Sequence, residues 1–258
     1  MKHHEYLAIN SVSNSKLNKF RKDPVSRGET VEKITDPLRY GRASDVLLFT
    51  PNDFFEEIEV IDWNERPKPQ YIMGQVNENW LMELDAKHYP KTVITNDMFK
   101  DVERGIDAVL NNKRHGQYMR ELIKDGEIHP IYEWTDPYTK LPMKSELDVK
   151  MGRIVTDFKT SRDISINEFR KSFFDYYLFQ PAFYTEGAKY NMEEADEFHF
   201  AVLEKETFDF DIITLDQSMV DYSLNQFRRY LNYYKQCLDE GLWSKSIMNG
   251  DSILSMER

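Results

Sequence analysis

The spacing of apolar residues changes twice along the chain. From Thr95 to about Leu122, Met98, Val102, Ile106, Val109 and Leu110 recur at steps of three and four, the spacing of one face of an amphipathic helix. Val220 to Leu238 repeats the pattern with Tyr222, Phe227, Tyr230, Leu231 and Tyr234, aromatics read as core rather than as a base-stacking surface. From Ile131 the period shortens to two. Three short strands are predicted there, Ile131–Trp134, Met143–Lys150 and Ile154–Lys159, joined as a meander through the turn signals Asp136-Pro137 and Gly152-Arg153. Upstream, Ser11, Ser13 and Ser15 ahead of Leu17 and Phe20 predict a capped short helix within Ile9–Arg21. A second helix follows Pro37, with Ala43, Val46 and Leu47 on its buried side and Asp45 beside that stripe. Residues 62 to 80, with Pro67, Pro69 and Gly74, read as an exposed connection.

A length of 258 residues with 40% hydrophobic content supports one sizeable core. The expectation is a single domain over 1–258, a helical part at 1–125 preceding strands and helices at 126–258. The one cysteine, Cys237, excludes a disulfide framework, a Cys-rich zinc site and a four-cysteine iron–sulfur cluster, and fits a reducing, cytoplasmic address. No apolar run approaches the roughly 20 residues that span a bilayer, and Met1-Lys2-His3-His4-Glu5 lacks the apolar stretch of a signal peptide.

The net charge of -11 argues against a general nucleic-acid binder, because sequence-independent affinity comes from Lys and Arg meeting phosphates. Charge is unevenly spread, however. Between Tyr138 and Lys171, eight basic residues (Lys140, Lys144, Lys150, Arg153, Lys159, Arg162, Arg170, Lys171) face five acids (Glu146, Asp148, Asp157, Asp163, Glu168). Two readings stay open: a basic groove on an acidic body, or a solvated face with ordinary charge mixing.

The turn Gly152-Arg153 has glycine first, as a type II′ hairpin requires. That register sets Asp148 opposite Asp157 and Glu146 opposite Lys159, with Lys159 on the same face as Asp157. Opposed side chains carry Cβ atoms about 4.5 to 5.5 Å apart, close enough for two carboxylates to share a cation. An acid pair with an adjacent ammonium suits phosphodiester hydrolysis: Mg²⁺ or Mn²⁺ activates water and neutralises phosphate, and the lysine stabilises developing charge. A surface hairpin with charges on its wet face is the alternative on spacing alone.

The same residues resemble the PD-(D/E)xK nuclease superfamily, specifically the RecE-type, exonuclease VIII-like phage and prophage exonucleases. Ser11-Val12-Ser13-Asn14-Ser15-Lys16-Leu17 is similar to that family's Ser-rich opening, and Leu38 to Leu48 to its glycine-containing helix. Lys144-Ser145-Glu146-Leu147-Asp148 and Thr156-Asp157-Phe158-Lys159-Thr160 resemble its two catalytic strands, and Gln180-Pro181-Ala182-Phe183-Tyr184 the Gln-x-x-x-Tyr motif shared with RecB-type nucleases. The resemblance implies that Asp148, Asp157 and the Phe158 carbonyl ligate Mg²⁺ or Mn²⁺ and that Lys159 assists the attacking water. Gln180 and Tyr184, one helical turn apart, reach the active centre or the DNA backbone; the alternative is a buried amide and a core tyrosine. Glu133 is either a second-metal carboxylate or a solvated strand residue. Where the family carries a histidine four residues after the helix glycine, this chain has Asp45, either a harder metal ligand or a lost one; His129 and His199 read as structural.

The resulting expectation is an α/β domain, a central mixed sheet flanked by helices, that hydrolyses linear duplex DNA. The resemblance further implies 5′-to-3′ digestion for recombination in a bacterial host, a ring-like homo-oligomer around DNA, and a single-strand annealing protein as partner. Two other functions remain: a structure-specific endonuclease of the same fold, and a catalytically silent DNA- or protein-binding relative.

Overall fold

The computed structural model describes residues 3–29, 34–62, 64 and 73–244. Along the chain these form α1 (His3–Ala8), α2 (Asn14–Lys22), α3 (Asp36–Phe49), α4 (Phe54–Glu57), β1 (Ile58–Ile61), α5 (Met73–His88), β2 (Thr92–Thr95), α6 (Asn96–Leu110), α7 (Gly116–Asp125), β3 (Glu127–Ile128), β4 (Ile131–Thr135), β5 (Pro142–Glu146), β6 (Val149–Met151), β7 (Ile154–Ser161), α8 (Ile166–Ser172), α9 (Gln180–Tyr190), β8 (Glu197–Glu204), β9 (Phe210–Thr214) and α10 (Gln217–Glu240). A π-helical turn, Phe173–Tyr177, follows α8 directly.

The central sheet has the order β3-β6-β7-β8-β9. Strands β7 and β8 run parallel, with Asp157 beside Phe200, while β3–β6, β6–β7 and β8–β9 are antiparallel. Alternation along β7 sends Val155 to one face and Phe158 to the other, and each face has its own core. The first core packs Phe179, Phe183 and Phe227 of the α9–α10 side against Phe198 and Phe200 of β8. Its edge-to-face ring pairs, such as Phe183–Phe227 at 5.2 Å, each contribute about 0.5–1.5 kcal/mol beyond area burial. The second packs Ala43 and Val46 of α3 with Val102 and Ile106 of α6 against Phe158, Ala201 and Leu203. The fold is thus the expected mixed sheet between helical layers. Among the described residues, no helix is long and apolar enough to cross a membrane.

Local chemistry explains the boundaries. Ser13 caps α2 by accepting from the Lys16 N–H, as the serine cluster predicts. The periodic stretch from Thr95 is two helices, not one. Asn112 breaks it: its side-chain oxygen accepts from the Arg114 and His115 N–H groups, forming a turn before α7. Within the expected connection at 62–80, helix α5 begins at Met73, because Gly74 is tolerated in a helix that continues to His88. Pro67 and Pro69 lie outside the described residues.

The predicted hairpin forms in register: Val149 pairs with Thr156, Lys150 with Val155 and Met151 with Ile154. Gly152 takes φ 57°, the left-handed conformation that this turn needs and glycine supplies. The strand Met143–Lys150, however, is two strands. β5 pairs with β4 in a separate two-stranded sheet, so Glu146 lies opposite Ile131 rather than Lys159. The chain changes sheets at Leu147, which is fully buried and whose N–H donates to the Pro130 carbonyl.

Candidate active site

That change of sheet positions Asp148. Past the end of the β6 ladder, its Oδ2 accepts from the Phe158 N–H at 2.6 Å, replacing a strand–strand bond with a carboxylate contact. N–H and C=O of one strand residue point the same way, so the Phe158 carbonyl is directed to the Asp148 side as well. Asp157, on the opposite face of β7 from Phe158, is 1% exposed. Its Oδ2 forms an ion pair with the Lys159 ammonium, two residues along the same face. That ammonium lies 5.3 Å from the ring centre of Tyr177.

The first turn of α9 brings Gln180 over the carboxylates. Gln180 Nε2 donates to Asp157 Oδ1 at 3.3 Å and to Tyr184 Oη at 3.2 Å, while Gln180 Oε1 is buried without a hydrogen-bond partner. On the other side stands Asp45 of α3. Arg42 Nη1 and His129 Nε2 both lie 3.2 Å from Asp45 Oδ2, and Arg42 also pairs with Glu57. His129 has φ 51° and donates its backbone N–H to the Asp148 carbonyl, linking Asp45 to the β6–β7 hairpin.

Electrostatics mark the cluster as strained for negative charge. Burial, then Asp157 and Asp45, push the Asp148 carboxyl well above the usual carboxylate range. Burial also raises Asp157, with Lys159 opposing. Burial would discharge Lys159, but Asp157 and Asp148 more than compensate and hold it firmly protonated. His129 is likewise pulled down by burial and raised, on balance, by its bond to Asp45. Tyr184 is kept neutral by burial and by the two aspartates.

Among the described residues, no three His, Cys, Asp or Glu side chains already form a closed ligand cage. The donor chemistry still fits a hard divalent cation. Two buried carboxylates that resist ionising side by side, a carbonyl on the Asp148 side and the orphaned Gln180 oxygen are what such an ion would satisfy.

Of the residues singled out from sequence, Asp148, Asp157, Phe158, Lys159, Gln180 and Tyr184 converge, with Asp45 alongside. Glu133 does not join them: it is exposed, paired across the strands with Lys144. Nor does the basic segment form one groove. Lys144 is buried, donating to the Tyr6 and Leu7 carbonyls, and Lys150 and Arg153 bind Glu193 and Asp196. Sequence reasoning took His129 as structural without linking it to Asp45, and did not single out Tyr177. The His129-Pro130 step just before the alternating run was the one cue to the former.

A family model for a "PDDEXK-like domain of unknown function (DUF3799)" matches residues 16–252. Among solved structures, a "Putative exonuclease" from Eubacterium rectale aligns over 100% of this chain and 96% of its own, with a TM-score of 0.63 and 13% identity, a likeness of fold. The structure of SSO0001 aligns over 98% of both chains at 13% identity, but its TM-score of 0.29 is too low to establish a common fold. Comparison with curated proteins gives no match. With the model covering nearly the whole chain and the hairpin aspartates and lysine assembled at its centre, the protein belongs to the PDDEXK-like DUF3799 family.

Proposed function

We propose that this protein is a divalent-metal-dependent deoxyribonuclease, an exonuclease of the RecE type acting on the ends of linear duplex DNA. The observation that carries the reading is the buried Asp148–Asp157 pair joined to a protonated Lys159 at the end of one hairpin. Asp148, Asp157 and the Phe158 carbonyl would hold Mg²⁺ or Mn²⁺, with Asp45 as a further ligand or as an anchor through His129. The bound ion supplies Lewis-acid activation of water and neutralises the phosphate. Lys159 keeps its proton in this site, so it acts as a fixed cation that positions water and stabilises the charge developing on the phosphate oxygens. Gln180 orients Asp157, and Tyr184 supports Gln180 from one turn along α9.

The finer reading is 5′-to-3′ digestion by a ring-like homo-oligomer that hands single strands to an annealing protein, in the cytoplasm of a bacterial host. These finer points rest on the resemblance to RecE-type exonucleases. A structure-specific endonuclease remains the alternative, and covalently closed circular DNA separates the two. The engagement of Asp45 by Arg42 and His129 favours a third reading, a silent binding relative. The test is digestion of end-labelled linear and closed circular duplexes in Mg²⁺ and in Mn²⁺. Loss of linear DNA alone supports the exonuclease, nicking of circles the endonuclease, and no cleavage by folded protein the silent relative.

A further inference from the structure

Beyond Lys159, cations from α2 and α10 lie close to a group of exposed aromatic rings. Lys159 rests against the ring of Tyr177, and the Tyr177 and Tyr176 rings are 6.3 Å apart. Tyr176 faces outward, 56% exposed, with the Lys22 ammonium 3.8 Å from its ring centre. Phe174, from the same π-helical turn, is 38% exposed and packs edge-on at 6.0 Å against Tyr222, itself 43% exposed.

This turn is fixed in place. Asn18 Nδ2 donates to the Tyr176 carbonyl and Arg21 Nη2 to the Asp175 carbonyl, both at 2.6 Å, so α2 holds the backbone that carries the rings. π-Helical turns are rare and concentrate at functional sites. Arg229, exposed on α10 two helical turns beyond Tyr222, donates from Nε to Tyr233 Oη, and Arg21 lies over the Phe179 ring. The acids alongside are Asp175, Asp221 and, on α8, Glu168, which pairs with Lys171; Arg170 of the same turn adds a further cation just upstream. In a chain of net charge -11, an excess of cations around three exposed aromatic rings is matched to a polyanion that also presents flat faces.

From this arrangement we infer that Tyr176, Phe174 and Tyr222, rimmed by Arg21, Lys22 and Arg229, form a stacking platform for unpaired bases of a DNA strand entering or leaving the Lys159 centre. The placement rests on the nuclease reading; the binding does not require it. Bases stack on aromatic side chains whatever their identity, and the cations follow the phosphates, the combination used by single-strand binders. A duplex keeps its bases in the stack and offers this surface only phosphates.

The experiment is fluorescence anisotropy with a labelled oligothymidylate of about 20 nucleotides and a blunt duplex of equal length, in EDTA so that nothing is cut. Wild type is compared with Tyr176→Ala/Tyr222→Ala, Tyr176→Phe/Tyr222→Phe and Lys22→Gln/Arg229→Gln, and duplex digestion in Mn²⁺ is followed in parallel. The alanine pair is expected to weaken single-strand binding at least about tenfold with duplex binding within about twofold, and the phenylalanine pair to retain it. The glutamine pair is expected to flatten the salt dependence for both DNAs. Single-strand binding by the alanine pair within twofold of wild type overturns the platform, as does failure of wild type to bind oligothymidylate. If wild type cuts duplex while either holds, the nuclease reading stands without the platform. If binding falls as expected but wild type cuts nothing, the platform stands and the nuclease reading fails.

Discussion

Replacing Asp148 by asparagine is expected to make the metal-free protein more stable while abolishing its activity. The ionised Asp148 carboxylate is disfavoured in the fold by burial, by Asp157 and by Asp45. At an effective dielectric of about 20, two like charges about 5 Å apart cost roughly 3 kcal/mol. Asparagine removes that repulsion from two neighbours but also the attraction to Lys159, and its amide oxygen still accepts from the Phe158 N–H as a bond weaker by roughly 1 kcal/mol. The balance is a gain of about 1–3 kcal/mol, or a rise in Tm of roughly 2–8 °C for a chain this long.

The sign with pH follows from the direction of the shift. A carboxyl raised in the folded state favours folding below its unfolded value of about 3.9 and loses that contribution as pH rises. The advantage of Asp148→Asn therefore grows from about pH 4 upward and vanishes in acid. Differential scanning calorimetry in EDTA reads it directly. With Mn²⁺ at about a hundred times its dissociation constant, wild type should gain roughly 2.7 kcal/mol and the variant much less. A variant less stable than wild type in EDTA at pH 7 would falsify the electrostatic strain. Equal Mn²⁺ shifts in the two proteins would remove Asp148 from the ligand set.

Other predictions concern the scaffold. Arg228 pairs with fully buried Asp136 and with Glu186, so Arg228→Met should cost about 2–4 kcal/mol in urea unfolding, with Asp136 still held by Thr139. Burial acts to raise the Asp136 carboxyl, but bonds from Thr139 and Arg228 lower it overall; its stabilisation is therefore complete above about pH 4 and lost as pH falls through the folded value, and the variant's acid limb should be shallower. A Cβ on Gly187 would come within 2.8 Å of Ser145 Oγ and 2.9 Å of the Trp134 ring. Gly187→Ala should cost roughly 1–3 kcal/mol and, by shifting α9, reduce cleavage through Gln180 and Tyr184. Tyr184→Phe, which removes only the hydroxyl facing Gln180, should lower Tm by no more than about 4 °C yet lower kcat measurably in steady-state digestion.

The β6–β7 hairpin and the side chains it gathers were legible because local rules decide them, whereas β3, β8 and β9 of the central sheet were not predicted. Gly152 dictates the turn, the turn dictates the β6–β7 register, and alternation then sets Asp157 and Lys159 on one face. What failed was long-range. Alternation runs unbroken through Leu147, so nothing in the pattern marks the change of sheet that takes Glu146 to Ile131 and frees Asp148 to meet Phe158. Charge counted along the sequence was misleading for the same reason, since Lys144 is turned inward and the Lys22 ammonium over Tyr176 comes from far away in the chain. His129 reaches Asp45 across 84 residues, a pairing no spacing rule encodes. Tyr222, read as core from its helical period, faces solvent.

The most direct measurement is metal-dependent cleavage of end-labelled linear duplex DNA by wild type, Asp157→Asn and Lys159→Ala, each verified as folded by circular dichroism. Linear DNA degraded by wild type in Mg²⁺ or Mn²⁺, and left intact by both variants, is the predicted result. Cleavage undiminished in either variant, or none by folded wild type with either metal, would contradict the assignment of this site.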